Sequence, residues 1–158
     1  MIDVVSKDVH TSRVSFCMST YKRPKFLEDQ ISCILQQTFT DFELIISDND
    51  PTGSAQQVVD RFADKRILYQ VNSENLGMVK SFNNSLAKAR GEFIVMITDD
   101  DPIYPDMLQT LQDLSLKYPG YGVYHGGCEI LCYTSLIASL MMAKVLINSC
   151  LSPEMDYN

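Results

Sequence analysis

Tryptophan is absent, and histidine nearly so: His10 and His125 are the two histidines in 158 residues. A histidine-built metal centre or a relay of imidazoles is excluded on that count. Positive charge is also scarce. Thirteen Lys and Arg stand against twenty Asp and Glu, a formal net charge of -7. A general nucleic-acid binder needs a cationic face for phosphate, so no nucleic-acid partner is expected. The five cysteines, Cys17, Cys33, Cys128, Cys132 and Cys150, are odd in number and irregular in spacing, which is not a disulfide framework. Cys17 and Cys33 fall within apolar patterns and read as small core residues. Cys128 and Cys132 lack the second ligand pair that structural zinc requires. The first twelve residues carry charges and no long apolar run, so no secretory signal is read, and a reducing cytoplasm is the expected setting. There is no internal repeat and no low-complexity linker.

What is present is ordinary globular composition, 46% hydrophobic and 21% charged. A chain of this length forms one domain that buries roughly 70% of its unfolded surface. Short apolar runs alternate with amphipathic ones. Residues 14–18, 42–47, 67–71 and 93–97 read as strands, and 122–125 as a fifth. Helices are expected between them. The first runs over 24–37, opened by Pro24, with Phe26, Leu27, Ile31, Ile34 and Leu35 on one face. A second is capped by Ser54 and carries Val58, Val59 and Phe62. A third follows Gly77, with Val79, Phe82 and Leu86 on one side and Gly91 as its stop. A fourth follows Tyr104, Pro105 and Asp106, with Met107, Leu108, Leu111 and Leu114 as its stripe. The run 93–97 is apolar throughout, as a central strand covered on both faces would be. This alternation is the pattern of an α/β fold: a mostly parallel sheet with helices on both faces.

In such folds ligands bind beyond the carboxyl ends of the strands. The chain's polar segments, 19–23, 48–50, 72–77 and 99–101, each follow a strand. All four should therefore gather along one rim. Asp99, Asp100 and Asp101 are three adjacent carboxylates that repel one another unless water or a cation neutralises them. All-oxygen ligands suit Mg2+ or Mn2+, although spacing alone favours a solvated acidic turn ahead of Pro102 or simple helix-dipole compensation. Asp48 can accept hydrogen bonds from a base or ribose, or can build an Asx turn with Asn49 and Asp50. Lys22, Arg23 and Lys80 can neutralise a diphosphate or stand as surface charges. Tyr21 can stack on a base or merely cover the first helix.

Read together, VSFCMSTYKRP at 14–24, LQQTFTDFELIISD at 35–48, NLG at 75–77, ARGEFI at 89–94, TDDD at 98–101 and YPD at 104–106 resemble the nucleotide-sugar-binding part of inverting family 2 glycosyltransferases. Ser19 stands where that family often has Pro. The resemblance covers about 13–127, with an N-terminal extension over 1–12 and an incomplete acceptor-side segment or apolar helix over 128–158. It implies a GT-A, Rossmann-like fold. The implied activity is transfer of a sugar, with inversion, from a nucleoside diphosphate sugar, expected to be a UDP-sugar, to a saccharide or other hydroxyl acceptor. The alternative is a fragment that holds donor and metal without turnover. The resemblance further implies Asp48 at the nucleobase, Thr20, Tyr21, Arg23, Lys80, Asp99 and Asp100 around the donor, and Asp100 and Asp101 on a DxD-type metal, Mg2+ or Mn2+. The catalytic base stays unassigned: Glu129, Glu154 and Asp156, the acids after the fourth helix, sit in no matching context. A nucleotidyltransferase would need a glycine-rich phosphate loop after the first strand, and 19–24 contains no Gly.

The acceptor half is expected to be largely missing, which would leave apolar surface open and favour a homodimer. Residues 130–151 are long and apolar enough to span a bilayer, but Lys144 lies inside them, so a buried helix competes with a membrane-associated one. Polysaccharide-building relatives often act at the cytoplasmic face of a membrane, and peripheral membrane association is expected on the same ground.

Overall fold

The computed structural model describes residues 13–126. The expected extension over 1–12, the segment 128–158 and the apolar run within it lie outside the described residues. Up to Gln109 the chain belongs to one compact unit, and from Thr110 to a second. The elements run β1 (Val14–Thr20), α1 (Pro24–Leu35), β2 (Phe42–Asp48), α2 (Gln56–Phe62), β3 (Ile67–Val71), α3 (Met78–Leu86), β4 (Phe93–Ile97) and α4 (Met107–Lys117). The four strands form one sheet in the order β3-β2-β1-β4, every pairing parallel. This is the expected α/β architecture.

Its two faces are built from different chemistry. On one, Phe16, Met18, Leu44 and Ile46 pack against Leu27, Ile31 and Ile34 of α1 and Val59 of α2, all buried. Phe16 meets Phe42 edge to face, with ring centroids 5.5 Å apart. On the other face lies α3, which packs against β1 and β2. The side chains it buries there are Ser81 and Ser85, four residues apart and so on one helix face. Burial pushes the Cys17 thiol, which touches Ser85, up to about 11, so it stays protonated as a core residue.

Several expected details differ. Val79 is 68% exposed and Leu86 41%. Ser81 bonds the sheet's own Ser19 and Ser47, and that contact, rather than the apolar stripe, sets the rotation of α3. β4 is an edge strand among the described residues. Phe93 and Val95 pack on the core, but Ile94 and Met96 are exposed, because α3 lies over β1 and β2 instead. Phe26 stands outside the α1 stripe, where Gln30 is buried instead. Helix α2 has Ala55 at its N-cap with no side-chain cap, since the Ser54 hydroxyl bonds Asp50. Residues 122–125 do not form a strand of the sheet; Val123 is 77% exposed, so no burial rewards pairing there.

Gly91 does not stop α3, which ends at Leu86. It lies against β1, and its N–H donates to Ser15 Oγ at 2.8 Å. A Cβ at Gly91 would fall 2.6 Å from the Ser15 backbone nitrogen and 2.8 Å from the Val14 carbonyl carbon. Backbone cannot yield as a flexible side chain can. Gly91→Ala is expected to lower the unfolding free energy by about 2 kcal/mol, as overpacking does. Urea denaturation checks this, and an unchanged midpoint would contradict the close packing.

Candidate functional site

Parallel strands end at the same edge, and the four polar segments do meet there. β1 ends at Thr20, whose carbonyl accepts the Asn49 N–H at 2.8 Å, and the Asp48 carbonyl accepts the Asn72 N–H at 2.8 Å. Thr20 Oγ1 donates to Asp99 Oδ2 at 2.7 Å, across from β1 to the loop after β4. Arg23 donates from Nη2 to Asp99 Oδ1 and from Nη1 to Asp100 Oδ2, the latter at 2.7 Å. Thr20, Arg23, Asp99 and Asp100 are therefore one connected group.

The three adjacent acids occupy three environments. Asp99 is fully buried. Burial pushes its carboxyl above the usual carboxylate range, with Asp100 adding to that, although Thr20 and Arg23 pull the other way. Asp100 has a side chain 40% exposed. Asp101 is exposed and accepts from the Thr98 hydroxyl. Among the described residues no three acidic, histidine or cysteine side chains gather closely enough to hold a metal by themselves. Mg2+, however, is commonly held by one or two carboxylates and completed by water and substrate phosphate. Asp100 and Asp101, hard oxygen donors at the surface, fit that pattern.

Asp48 ends β2 and builds the Asx turn that the sequence offered as one of its two readings. It is fully buried. Its Oδ1 accepts the Asp50 N–H at 2.9 Å, and its Oδ2 accepts the Ala55 N–H at 3.2 Å and the Tyr69 hydroxyl at 2.6 Å. Within this structure Asp48 holds the 48–55 turn from beneath. Burial and this bond push the Tyr69 phenol far above its ordinary range, so it remains a donor at any working pH. Asp50 accepts the Thr52 N–H at 3.1 Å. Burial pushes the Asp50 carboxyl up, but hydrogen bonds from Ser54 and Thr52, with Lys22 nearby, outweigh it and hold it below the usual range.

Beside this turn runs a network of amides. Asn49 Nδ2 donates to Asn75 Oδ1 at 2.7 Å, and Asn49 Oδ1 accepts the Leu76 N–H at 2.9 Å. Asn72 Nδ2 donates to Ser47 Oγ at 3.0 Å, and Ser81 Oγ to the same oxygen at 3.0 Å. Asn75 also accepts the Gly77 N–H at 3.0 Å. Gly77 has φ 77°, a conformation that favours glycine, and it opens α3. Asn72 lies in the expected polar segment 72–77, whereas Tyr69 and Ser81 were not singled out from sequence. Their one signal is a polar group within or at the end of an apolar run.

The remaining expected site residues lie at the surface. Tyr21 is 41% exposed and stands beside the Lys22 ammonium, 5.2 Å from its ring centroid. Lys22 adopts φ 56°, unusual for a residue with a side chain. Lys80 is exposed in the first turn of α3, and among the described residues no ion pair joins it to the rim acids. Two hollows of about 420 and 630 Å3 flank α2, and neither is lined by Thr20, Arg23, Asp99 or Asp100. The linked charged groups, Arg23, Asp99 and Asp100, lie on the rim and not in either hollow.

The family model for glycosyl transferase family 2 matches residues 15–127, a span that includes every rim residue. The chain belongs to glycosyl transferase family 2. A family 2 relative, the GalNAc(5)-diNAcBac-PP-undecaprenol beta-1,3-glucosyltransferase of Campylobacter jejuni, is 33% identical over 121 residues, 75% of this chain and 38% of that protein. S. aureus TarS 1–349, solved in complex with UDP-GlcNAc, matches with a TM-score of 0.63 at 22% identity, over 72% of this chain and 37% of that one. The mannosyltransferase PcManGT from Pyrobaculum calidifontis, solved with GDP-Man and Mn2+, matches with a TM-score of 0.59 at 21% identity, over 66% and 32%. These likenesses establish the GT-A fold for this family 2 chain. It spans roughly a third of the length of the relatives it matches. Among the described residues no helix is long and apolar enough to cross a membrane.

Two outcomes follow from the turn geometry. Tyr69→Phe removes a hydrogen bond to a charged acceptor, and the expected loss is about 1.5 kcal/mol of unfolding free energy, read by urea denaturation. Asp50→Asn is expected to be less stable than wild type at neutral pH. Because the folded Asp50 carboxyl lies below its ordinary value of 3.8, the difference should persist above that value and vanish as the pH falls through and below it. A gap that widened on acidification would contradict the assignment.

Proposed function

We propose that this chain carries the donor site of an inverting, metal-assisted family 2 transferase that takes a nucleoside diphosphate sugar, a UDP-sugar in the first instance. The observation that supports this most is the single group formed by Thr20, Arg23, Asp99 and Asp100 at the carboxyl ends of β1 and β4. Tyr21 offers an exposed ring for stacking on the base. Asp48, Asn49 and Asp50 fix the turn against which the base would lie. Asp99, anchored by Thr20, borders the ribose side. Asp100 and Asp101 would hold Mg2+ or Mn2+, which when bound supplies positive charge to the departing diphosphate. Lys22, Arg23 and Lys80 are side-chain cations available to the same phosphates. The relatives solved with UDP-GlcNAc and with GDP-Man and Mn2+ support this class of donor and metal.

Inversion requires a single displacement, in which an acceptor hydroxyl attacks the anomeric carbon opposite the leaving diphosphate while a carboxylate takes its proton. The proton acceptor is left unassigned: Asp48 and Asp99 are fully buried and Asp50 nearly so, and Asp100 and Asp101 are given to the metal. The acceptor, a saccharide or another hydroxyl compound, the homodimer and the peripheral membrane association belong to the same proposal.

Thermal unfolding with UDP, with GDP, with Mn2+ and with each nucleotide plus Mn2+ tests the reading. A ligand confined to the folded state adds about 2.7 kcal/mol at one hundred times its dissociation constant. The expected result is a shift that needs UDP and Mn2+ together and is lost in Asp100→Asn. Binding without sugar transfer to any offered acceptor would assign this chain donor holding alone. No shift at millimolar nucleotide would overturn the donor site.

A further inference from the structure

Arg23 is fastened at its backbone and bridges two acids of unlike exposure. It occupies the N-cap position of α1 immediately before Pro24, and its carbonyl accepts the Leu27 N–H at 3.1 Å. Its guanidinium sits 5.8 Å from the centroid of the exposed Phe26 ring. From there Nη2 reaches a carboxylate with no exposed surface, Asp99, and Nη1 reaches one that is 40% exposed, Asp100. Asp99 has Thr20 as its second donor. It cannot give up Arg23 without leaving a buried charge poorly compensated. Asp100 can, because water replaces the bond at little cost.

We propose that Arg23 is a resident counter-ion that a divalent cation must displace from Asp100, and that it pivots on Asp99 to deliver its freed nitrogen to the donor's diphosphate. This rests on the donor-site reading above. The oxygen that Nη1 occupies belongs to the carboxylate offered to the metal. A guanidinium and a divalent cation on one exposed carboxylate repel each other, so the two exclude one another at Asp100. Once a nucleoside diphosphate arrives, the displaced nitrogen finds phosphate oxygens on the same rim, and the fork shape of guanidinium lets it keep Asp99 with its other arm. Metal and nucleotide then bind cooperatively for a local reason: each relieves what the other would leave unpaired.

The test compares wild type, Arg23→Gln and Arg23→Lys, with Mn2+ alone and with UDP plus Mn2+. Free Mn2+ is counted by electron paramagnetic resonance and UDP by calorimetry. Both variants lose the bridge, so each is expected to bind Mn2+ alone about three-fold more tightly than wild type, the scale of an exposed ion pair. Both should bind UDP with Mn2+ about ten-fold more weakly, the scale of a charge-assisted bond to phosphate. Arg23→Lys keeps a cation for Asp99 and guards against a variant that fails to fold. On wild type, Mg2+ alone should shift the Arg23 Nε–Hε resonance in step with the Asp100 carboxyl carbon.

Mn2+ binding unchanged or weakened in both variants would overturn the displacement. So would an Asp100 carboxyl shift with no movement of Arg23, since the metal would then bind without moving the arginine. If UDP binds but no protein form takes up Mn2+, the metal part of the donor reading falls and this proposal with it. If neither UDP nor Mn2+ binds any form, the donor site itself is overturned.

Discussion

Two carboxylates with no exposed surface, Asp48 at the end of β2 and Asp99 just past β4, sit on either side of β1, and the architecture of the rim follows from their need for donors. A buried carboxylate without partners is worth several kcal/mol of destabilisation. Asp48 is supplied by two backbone N–H groups of its own turn and by a tyrosine hydroxyl from β3. Asp99 is supplied by a threonine at the end of β1 and an arginine at the start of α1. Each acid thereby ties its strand end to a neighbour's: β2 to β3 through Tyr69, β4 to β1 through Thr20. The parallel pairing makes this possible, because it brings all four carboxyl ends to one edge. In an antiparallel sheet of the same strands these groups would alternate between two edges.

The two faces of the sheet carry different loads. The face under α1 and α2 is apolar and supplies the bulk of the burial. The face under α3 is laced with serine and asparagine. Small hydroxyl side chains pack closely and bond one another, so Ser19, Ser47 and Ser81 join α3 to the sheet through hydrogen bonds. This contact leads directly to the rim, since Asn72 bonds Ser47 and Asn49 at once. The polar face thus stabilises the loops that the apolar face cannot reach. It also leaves Ile94 and Met96 of β4 uncovered among the described residues.

The strands and their order of appearance were legible because continuous apolar runs bounded by polar turns have few other readings. The rim was legible for the same reason: segments that follow parallel strands must converge. What was not legible came from treating apolar as equivalent to buried, a rule that holds in one direction only. Val79, Leu86 and Phe26 are apolar and exposed, while Ser81, Ser85 and Gln30 are polar and buried. No periodicity count separates those cases, because the deciding fact is which hydroxyls lie on the facing strand. Gly91 shows the same limit. A glycine after a helix reads as a stop, and only the distance to Ser15 reveals a close approach. The depth of Asp48 was hidden likewise, since an acid that builds a turn and an acid that faces a ligand have the same local sequence.

Adjacency in sequence exaggerates the repulsion within the acidic triplet. As the chain leaves β4 its side chains fall into separate surroundings: Asp99 inward to Thr20 and Arg23, Asp100 half outward, Asp101 outward to Thr98. One guanidinium compensates two of the three charges, and the third is left to water and a hydroxyl. Three carboxylates in a row therefore do not require a bound cation for the fold to exist. The inner acid gives the group its position, because it cannot leave its donors. The outer two keep their freedom, because solvent is an acceptable partner. A site assembled this way has its inner acid placed before any ligand arrives, and its outer charges left to be completed by what binds.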